Sequence, residues 1–503
     1  MGRGLRLSHS LQLKGPGTDI HAFGMFLKLR INRGRLIFGI LNFQSSVMKS
    51  ILITCVLLCF LTANSQEVVD SRNKEIVFRA VNVIPMDKET VIPNQIVVVK
   101  NGIILRMGDP GKITWSSDAL VIDGTGKYLM PGLAEMHAHV PPVNDFEPMK
   151  EVLLLFAANG VTTIRGMLGH PFHLQLRSMI QSGEVIGPRL ITSGPSLNGN
   201  TVKSVYQADS MVRKEKLEGY DFLKLHPGLT LENFNAIVAT ARKVNISFAG
   251  HVSFDVGIWR AIDAGYGSID HMDGFIEGLL PQNFKTTEQQ NGPFALYVAD
   301  KAQTDQIPKL MAALKKRNIW VVPTQSLAER WFAPVETETL SNEPEMSYVS
   351  PTVLNNWKNA KNNIKNNPSY NPESANRFIQ LRRKLINECN KNGVGLLLGS
   401  DAPQVFDVPG FSLHHELQYM VDAGLTPYEA LKMGTVNVGR YVKRADLGTI
   451  QTGSIADLLL LNGNPLTDIK QAKNIEGVMV NGRWLSKKWI DTTLETIRKK
   501  YAN

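Results

Sequence analysis

Residues 129–140 read Leu-Met-Pro-Gly-Leu-Ala-Glu-Met-His-Ala-His-Val, and how this run is parsed decides the rest of the chain. Its apolar residues predict a buried strand leaving the Pro131-Gly132 turn. His137 and His139 stand two apart on it, so both rings leave one face. A lone His-x-His pair is weak evidence for a metal. The downstream texture adds weight: GVTTIRGM, PRLITSG, YDFLKLH, ISFAGHV, YGSIDHM, IWVVPTQ and VGLLLGSD are short apolar runs, each followed by a helix-like or longer segment. With the opening run they make about eight strand-then-helix units, which predicts an α/β fold with a parallel sheet closed into a (β/α)8 TIM barrel.

Four further residues close predicted strands: Lys224 ends YDFLK, His251 ends FAGH, His271 ends SIDH and Asp401 ends LLLGSD. Catalytic groups of such barrels gather at these C-terminal strand ends. Imidazoles with a carboxylate suit a borderline divalent ion such as zinc. A lysine buried near cations has a depressed pKa, and its neutral amine can take up carbon dioxide to give a carbamate able to span two ions. His226, two residues beyond Lys224, together with Arg165 and Tyr206 near other strand ends, are candidates for contact with substrate.

Short β-type runs fill Ile76 to Ile122 and return near the C-terminus in ADLLLLNG and GVMVNGRWL. The expected division is therefore 66–130 and 445–503 as β-rich parts flanking a barrel over 131–444. Two intervals are too long for compact βα units, 273–318 and 327–390. They follow strands six and seven and should emerge at the barrel mouth as a lid or substrate wall. Thr426-Pro427-Tyr428-Glu429 offers a capping hydroxyl, a proline at the first helical position and a reciprocal glutamate, predicting a helix from Pro427 to about Tyr441. Before it, Leu413, Leu417, Met420 and Val421 are spaced as on an amphipathic helix.

The chain has 503 residues and a formal charge of +10. Residues 1–65 hold eight Lys or Arg and one acid, Asp19, leaving 47 basic and 44 acidic residues beyond. The basic excess thus sits mostly in the leader, which argues against a nucleic-acid partner. From Met48 the sequence MKSILITCVLLCFLTANSQ has the plan of a secretory signal over 48–65, with an apolar run too short for a stable membrane anchor. Residues 1–47 are then an upstream extension, with translation expected to begin at Met48. Cys55 and Cys59 fall inside the signal, and Cys389 alone remains, so no intrachain disulfide is expected in an exported, periplasmic or secreted chain.

Over nearly all of residues 76–490 the chain resembles the amidohydrolase superfamily, most closely its imidazolonepropionase-like and Xaa-Pro dipeptidase-like branch. The stretches that carry the resemblance are DGTGKYLMPGLAEMHAHV, GVTTIRG, GPRLITSG, GSIDHMDG, LLLGSDAP, LGTIQTGSIADLLLLNGNPL and VMVNGRW. The resemblance implies a small β-sandwich built from both chain ends beside the barrel. It implies two divalent metal ions, zinc being expected: His137, His139 and Asp401 at the first, His251 and His271 at the second, with an N6-carboxylated Lys224 between them. It also implies cleavage of a C–N bond by a metal-activated hydroxide, with Asp401 moving the proton. Deaminases of the superfamily carry a glutamate where this chain has Phe254, and imidazolonepropionases proper lack the lysine. Glu135 and Gly166 stand where relatives often have aspartate. The expected substrate is a dipeptide or N-acyl amino acid, the alternatives being a cyclic amide or a catalytically silent binding barrel. A homo-oligomer is compatible with this reading.

Overall fold

The computed structural model describes residues 68–502, together with two short strands, Arg30–Asn32 and Arg35–Ile37. The chain divides into two compact units, Met1–Gln66 and Glu67–Asn503. In the first, the two strands pair antiparallel with Arg30 opposite Ile37. The expectations for the leader and signal otherwise lie outside the described residues. Among the described residues no helix is long and apolar enough to cross a membrane.

The second unit holds the TIM-barrel-like α/β body. Parallel strands Leu133–Ala138, Val161–Gly166 and Arg189–Thr192 form one ladder, and Phe222–Leu225, Ser247–Gly250, Ser268–Asp270 and Trp320–Val322 form another. Parallel bridges Ser193–Phe222 and Leu197–Leu225 join them. Leu133–Ala138, Val161–Gly166 and Phe222–Leu225 are buried at every position, as strands covered on both faces must be. The helix Leu231–Val244 illustrates how the outer layer forms. Thr230 caps it by accepting from Asn233 N, and Phe234, Ile237, Val238 and Ala241 make its buried stripe. Asn245 ends it in the left-handed conformation.

The segment predicted as the eighth strand is less regular than expected. Its ladder reduces to one bridge, Val321–Leu396, because the Leu398 amide donates to Met433 O instead of a neighbouring strand. Leu398 O in turn accepts from Met136 N, and Asp401 N donates to His137 O, so this segment lies against the first strand. The same contacts correct the predicted helix Pro427–Tyr441. The capping box at Thr426 and Glu429 forms, but the helix splits into Pro427–Met433 and Val436–Tyr441. The carbonyls of Met433 and Gly434 are given to Leu398 N and Ala134 N, which removes them from helical bonding. Gly434 permits the approach, since a Cβ there would sit 2.8 Å from Leu398 Cδ2.

The two chain ends combine in one nine-stranded mixed sheet. Its order runs Val68–Asp70, Arg483–Ser486, Ile475–Val480, Leu458–Leu461, Tyr128–Pro131, Ile76–Val83, Ile92–Lys100 and Ile103–Gly108, with Leu120–Asp123 also paired to Ile76–Val83. A bulge at Ala80, φ 57°, bends Ile76–Val83 as it passes from one partner to the next. Phe78 and Trp484 lie on strands four places apart in this order, roughly 19 Å in a flat sheet. Their rings are 5.3 Å apart and edge to face, so the sheet curls over its own core of Val81, Val97, Leu458 and Leu460.

Candidate metal centre

His137, His139, Lys224, His226, His251 and His271 lie at or just beyond C-terminal strand ends of the parallel ladders, and Asp401 follows the irregular segment bridged to Trp320–Val322 at Leu396. His137 and His139 leave the end of Leu133–Ala138, Lys224 sits in Phe222–Leu225, and His251 and His271 directly follow their strands. Two of these positions, and Thr324 beside them, need unusual backbone: His271, Thr324 and Asp401 have φ of 61°, 47° and 74°. Non-glycine residues held in this region cost about 1–3 kcal/mol each and persist where their surroundings over-determine them, commonly at active sites.

The cluster is tight. Asp401 Oδ1 lies 2.6 Å from His139 Nε2 and 3.2 Å from His137 Nε2, and Asp401 Oδ2 lies 3.9 Å from His271 Nδ1. Lys224 Nζ is 3.4 Å from His137 Nε2. The His271 ring centroid is 4.4 Å from those of both His137 and His251, and His226 extends the row at 5.0 Å from His251. Ligand atoms of His137, His271 and Asp401 lie within 4.8 Å of one another. His271 therefore stands beside the expected first set, and His251 joins through it. Gly250 leaves room for the lysine: a Cβ there would meet Leu225 O at 2.4 Å and Lys224 Cδ at 2.9 Å.

Oxygen atoms behind the rings orient them. Thr324 Oγ1 is 2.8 Å from His271 Nδ1 and 2.8 Å from Pro323 O, so the threonine hydroxyl engages this nitrogen of the ring. Asp273 Oδ2 lies 3.0 Å from His251 Nδ1 and accepts from Val252 N, which holds the His251 ring. Asp270 Oδ2 is 3.0 Å from His137 Nδ1, at ion-pair distance but without hydrogen-bond geometry. Backing of ligating imidazoles by outer oxygens is the usual arrangement around a metal.

Protonation states suit the same use. Burial drives His137 and His271 well below the ordinary imidazole range and His251 down to about 3, so the rings are neutral. Burial also lowers Lys224 to about 8, opposed by the nearby carboxylates of Asp270 and Asp401. Buried neutral imidazoles, a carboxylate and a weakly basic amine are a donor set that fits divalent cations. His226 is likewise pushed far down by burial, and its Nδ1 is paired with Ser196 Oγ.

Two residues expected near substrate are placed elsewhere. Arg165 is buried, and its guanidinium donates to Met136 O, Ser268 Oγ, Tyr441 Oη and both oxygens of Asp270. Those bonds engage every guanidinium nitrogen, so Arg165 holds Asp270 rather than meeting a substrate. Tyr206 is 80% exposed on the first turn of the helix Val205–Glu218, whereas the cluster is largely buried. The positioning residues Asp270, Asp273 and Thr324 escaped the sequence reading, although both acids flank His271 in the quoted GSIDHMDG. Glu135 also proves central: it accepts from His137 N and Ser400 N and bonds Ser400 Oγ. A second group that could hold a cation, Glu343, Glu345 and His415, lies apart and is bound to Arg330.

Comparison with known proteins agrees with this architecture. Ochratoxinase from Aspergillus niger is 25% identical over 369 residues, covering 68% of this chain and 72% of that protein. Among solved structures, a bottromycin amidohydrolase superposes with a TM-score of 0.66 at 20% identity, covering 87% of this chain and 92% of the other. A Xaa-Pro dipeptidase with bound methionine gives 0.59 at 19% identity, covering 82% and 100%. Residues 128–485, which span the whole constellation from His137 to Asp401, match the Amidohydrolase family, and the chain belongs to that family of hydrolases acting on C–N bonds.

Proposed function

We propose that the protein is an exported, metal-dependent amidohydrolase that cleaves the amide or peptide bond of a dipeptide or N-acyl amino acid. The observation that carries this reading is the convergence of His137, His271 and Asp401, whose ligand atoms lie within 4.8 Å of one another, with His139, His251 and Lys224 beside them. Two zinc ions would be held by His137, His139, His251, His271 and Asp401, with Lys224 as an N6-carboxylated bridge. Bound there, the metals would polarise the substrate carbonyl and lower the pKa of water. Asp401, within reach of His139 and His137, would accept the proton of the attacking water and pass it to the leaving nitrogen. Phe254 in place of the deaminase glutamate favours amide hydrolysis, and the dipeptidase-like and ochratoxinase neighbours are compatible with it.

Other parts of the reading are proposals of the same standing. The parallel ladders close through Leu398 into an eight-stranded barrel over 131–444, and the curled sheet of 66–130 with 445–503 forms a β-sandwich. Export rests on the signal pattern at 48–65. The decisive experiment measures metal content and then screens dipeptides, N-acyl amino acids and lactams with zinc or manganese. About two ions per chain with turnover of an amide supports the proposal. A metal-loaded protein inactive on every class defeats it.

A further inference from the structure

The first long insertion enters the metal centre through one aromatic side chain. Phe294 places its ring centroid 5.3 Å from that of His271 and 6.2 Å from that of His251, nearly parallel to the latter at 18°. Its backbone is strained to reach this position: Phe294 and Ala295 are consecutive non-glycine residues with φ of 52° and 61°. Left-handed geometry costs an L-residue roughly 1–2 kcal/mol, and here two follow in sequence. Ala295 is fully buried and its amide donates to Gly292 O, which fixes the turn.

The second insertion braces the same ring. Phe332 stands 5.8 Å behind Phe294, edge to face, and is packed by Phe378 at 6.0 Å and by Trp331 stacked at 5.0 Å. Phe332 and Phe378 are completely buried, whereas Phe294 keeps partial exposure. The two insertions thus present a stiff apolar surface beside His251 and His271, at the mouth where the barrel opens. A charged substituent pressed against it would lose hydration without gaining a partner. An aromatic or branched apolar substituent would bury area and could stack.

We infer that Phe294 is a specificity-determining residue, selecting amides that carry an aromatic or bulky apolar group beside the scissile bond. This inference rests on the hydrolase reading above. It assigns to residues 273–318 the supply of the wall and to 327–390 its bracing.

The test uses the metal-loaded full chain and two substrates sharing one scissile bond, N-acetyl-phenylalanine and N-acetyl-aspartate. Wild type should prefer the aromatic substrate by at least about tenfold in kcat/KM. Phe294→Ala should lower the aromatic value about tenfold, mainly through KM, leave the aspartate value within about twofold and keep metal content unchanged. Phe294→Leu, which disturbs the turn least, should fall between. Calorimetry of phenylalanine and aspartate binding to the same proteins should show the same loss for phenylalanine alone. Equal losses on both substrates, or loss of metal in both variants, would make Phe294 a structural prop and overturn the inference. Turnover of both substrates with no aromatic preference would overturn it while leaving the hydrolase reading intact. No turnover of either by metal-loaded wild type, with no binding of phenylalanine, would overturn the inference, and the hydrolase reading is then decided by the wider screen of dipeptides and lactams.

Discussion

The Glu135 carboxylate lies 2.8 Å from the amide nitrogen of Ser400, joining the first parallel strand to the segment that carries Asp401. The same oxygen accepts from His137 N at 3.0 Å, so one side chain sets the spacing of both candidate ligands. Burial raises its pKa well above the carboxylate range, only partly offset by the bonds from Ser400 and His137. Oε1 accepts from both amides, and Oε2 accepts from Ser400 N and Ser400 Oγ. Gln keeps one acceptor and turns the other into a donor, and Ala removes both. Glu135→Gln should lose about 1–3 kcal/mol and Glu135→Ala about 2–4 kcal/mol, read from denaturant unfolding. A loss below about 1 kcal/mol in both would mean that this side chain does not hold the two segments together.

Lys224→Ala should retain the fold and lose metal. The lysine is wholly buried with its amine beside His137, and elemental analysis of the purified variant should find at most half the wild-type content. An unchanged stoichiometry removes the bridging role.

Arg165→Met should destabilise the protein by about 3–5 kcal/mol, because it strands the buried Asp270 carboxylate without its guanidinium. Arg165→Lys restores charge without the fork and should recover only part of the loss in a urea titration. If Met is tolerated within about 1 kcal/mol, the pair is not what holds Asp270.

Glu215 gives a pH prediction remote from the metal centre. Both carboxylate oxygens are buried without a hydrogen-bond partner, close to where a Cβ on Gly194 would lie. Burial, helped by the charge of Glu218, lifts its pKa to about 8. In the unfolded chain the same group ionises near about 4.3. Between those values the unfolded state has released a proton that the native state keeps, so stability falls as pH rises and levels off above about 8. Glu215→Gln should melt higher than wild type at pH 8.5, with the advantage vanishing below about pH 4. Parallel melting curves across that range would refute the assignment.

Much of this was legible because barrel strands announce themselves locally. Apolar runs such as YDFLK and SIDH end on the polar residue that reaches the centre, and the Thr426 box caps its helix as its spacing predicts. What was not legible depends on partners far away in the chain. Leu398 gives its amide to Met433, which both roughens the eighth segment and breaks the helix after Met433. Arg165 looked free at a strand end because nothing nearby in sequence reveals Ser268, Asp270 and Tyr441 waiting for it. The insertions are expected at the mouth as a lid or substrate wall, but no local motif marks which of their residues turn inward. Yet Arg382 is buried beneath the site with its guanidinium on His271 O and Pro323 O, and Phe294 reaches the site only through a strained turn.

The curled end sheet has a consequence for how the molecule is made. Tyr128–Pro131, which runs straight into the first strand of the ladder, pairs with Leu458–Leu461, so Pro131 must wait for Leu458 to be synthesised. Until then its edge stays open while the ribosome produces nearly the whole body. Such late closure lengthens the interval in which unpaired β-edges are exposed to other chains. A stretch translated after the whole parallel ladder is thus the one that shuts this edge.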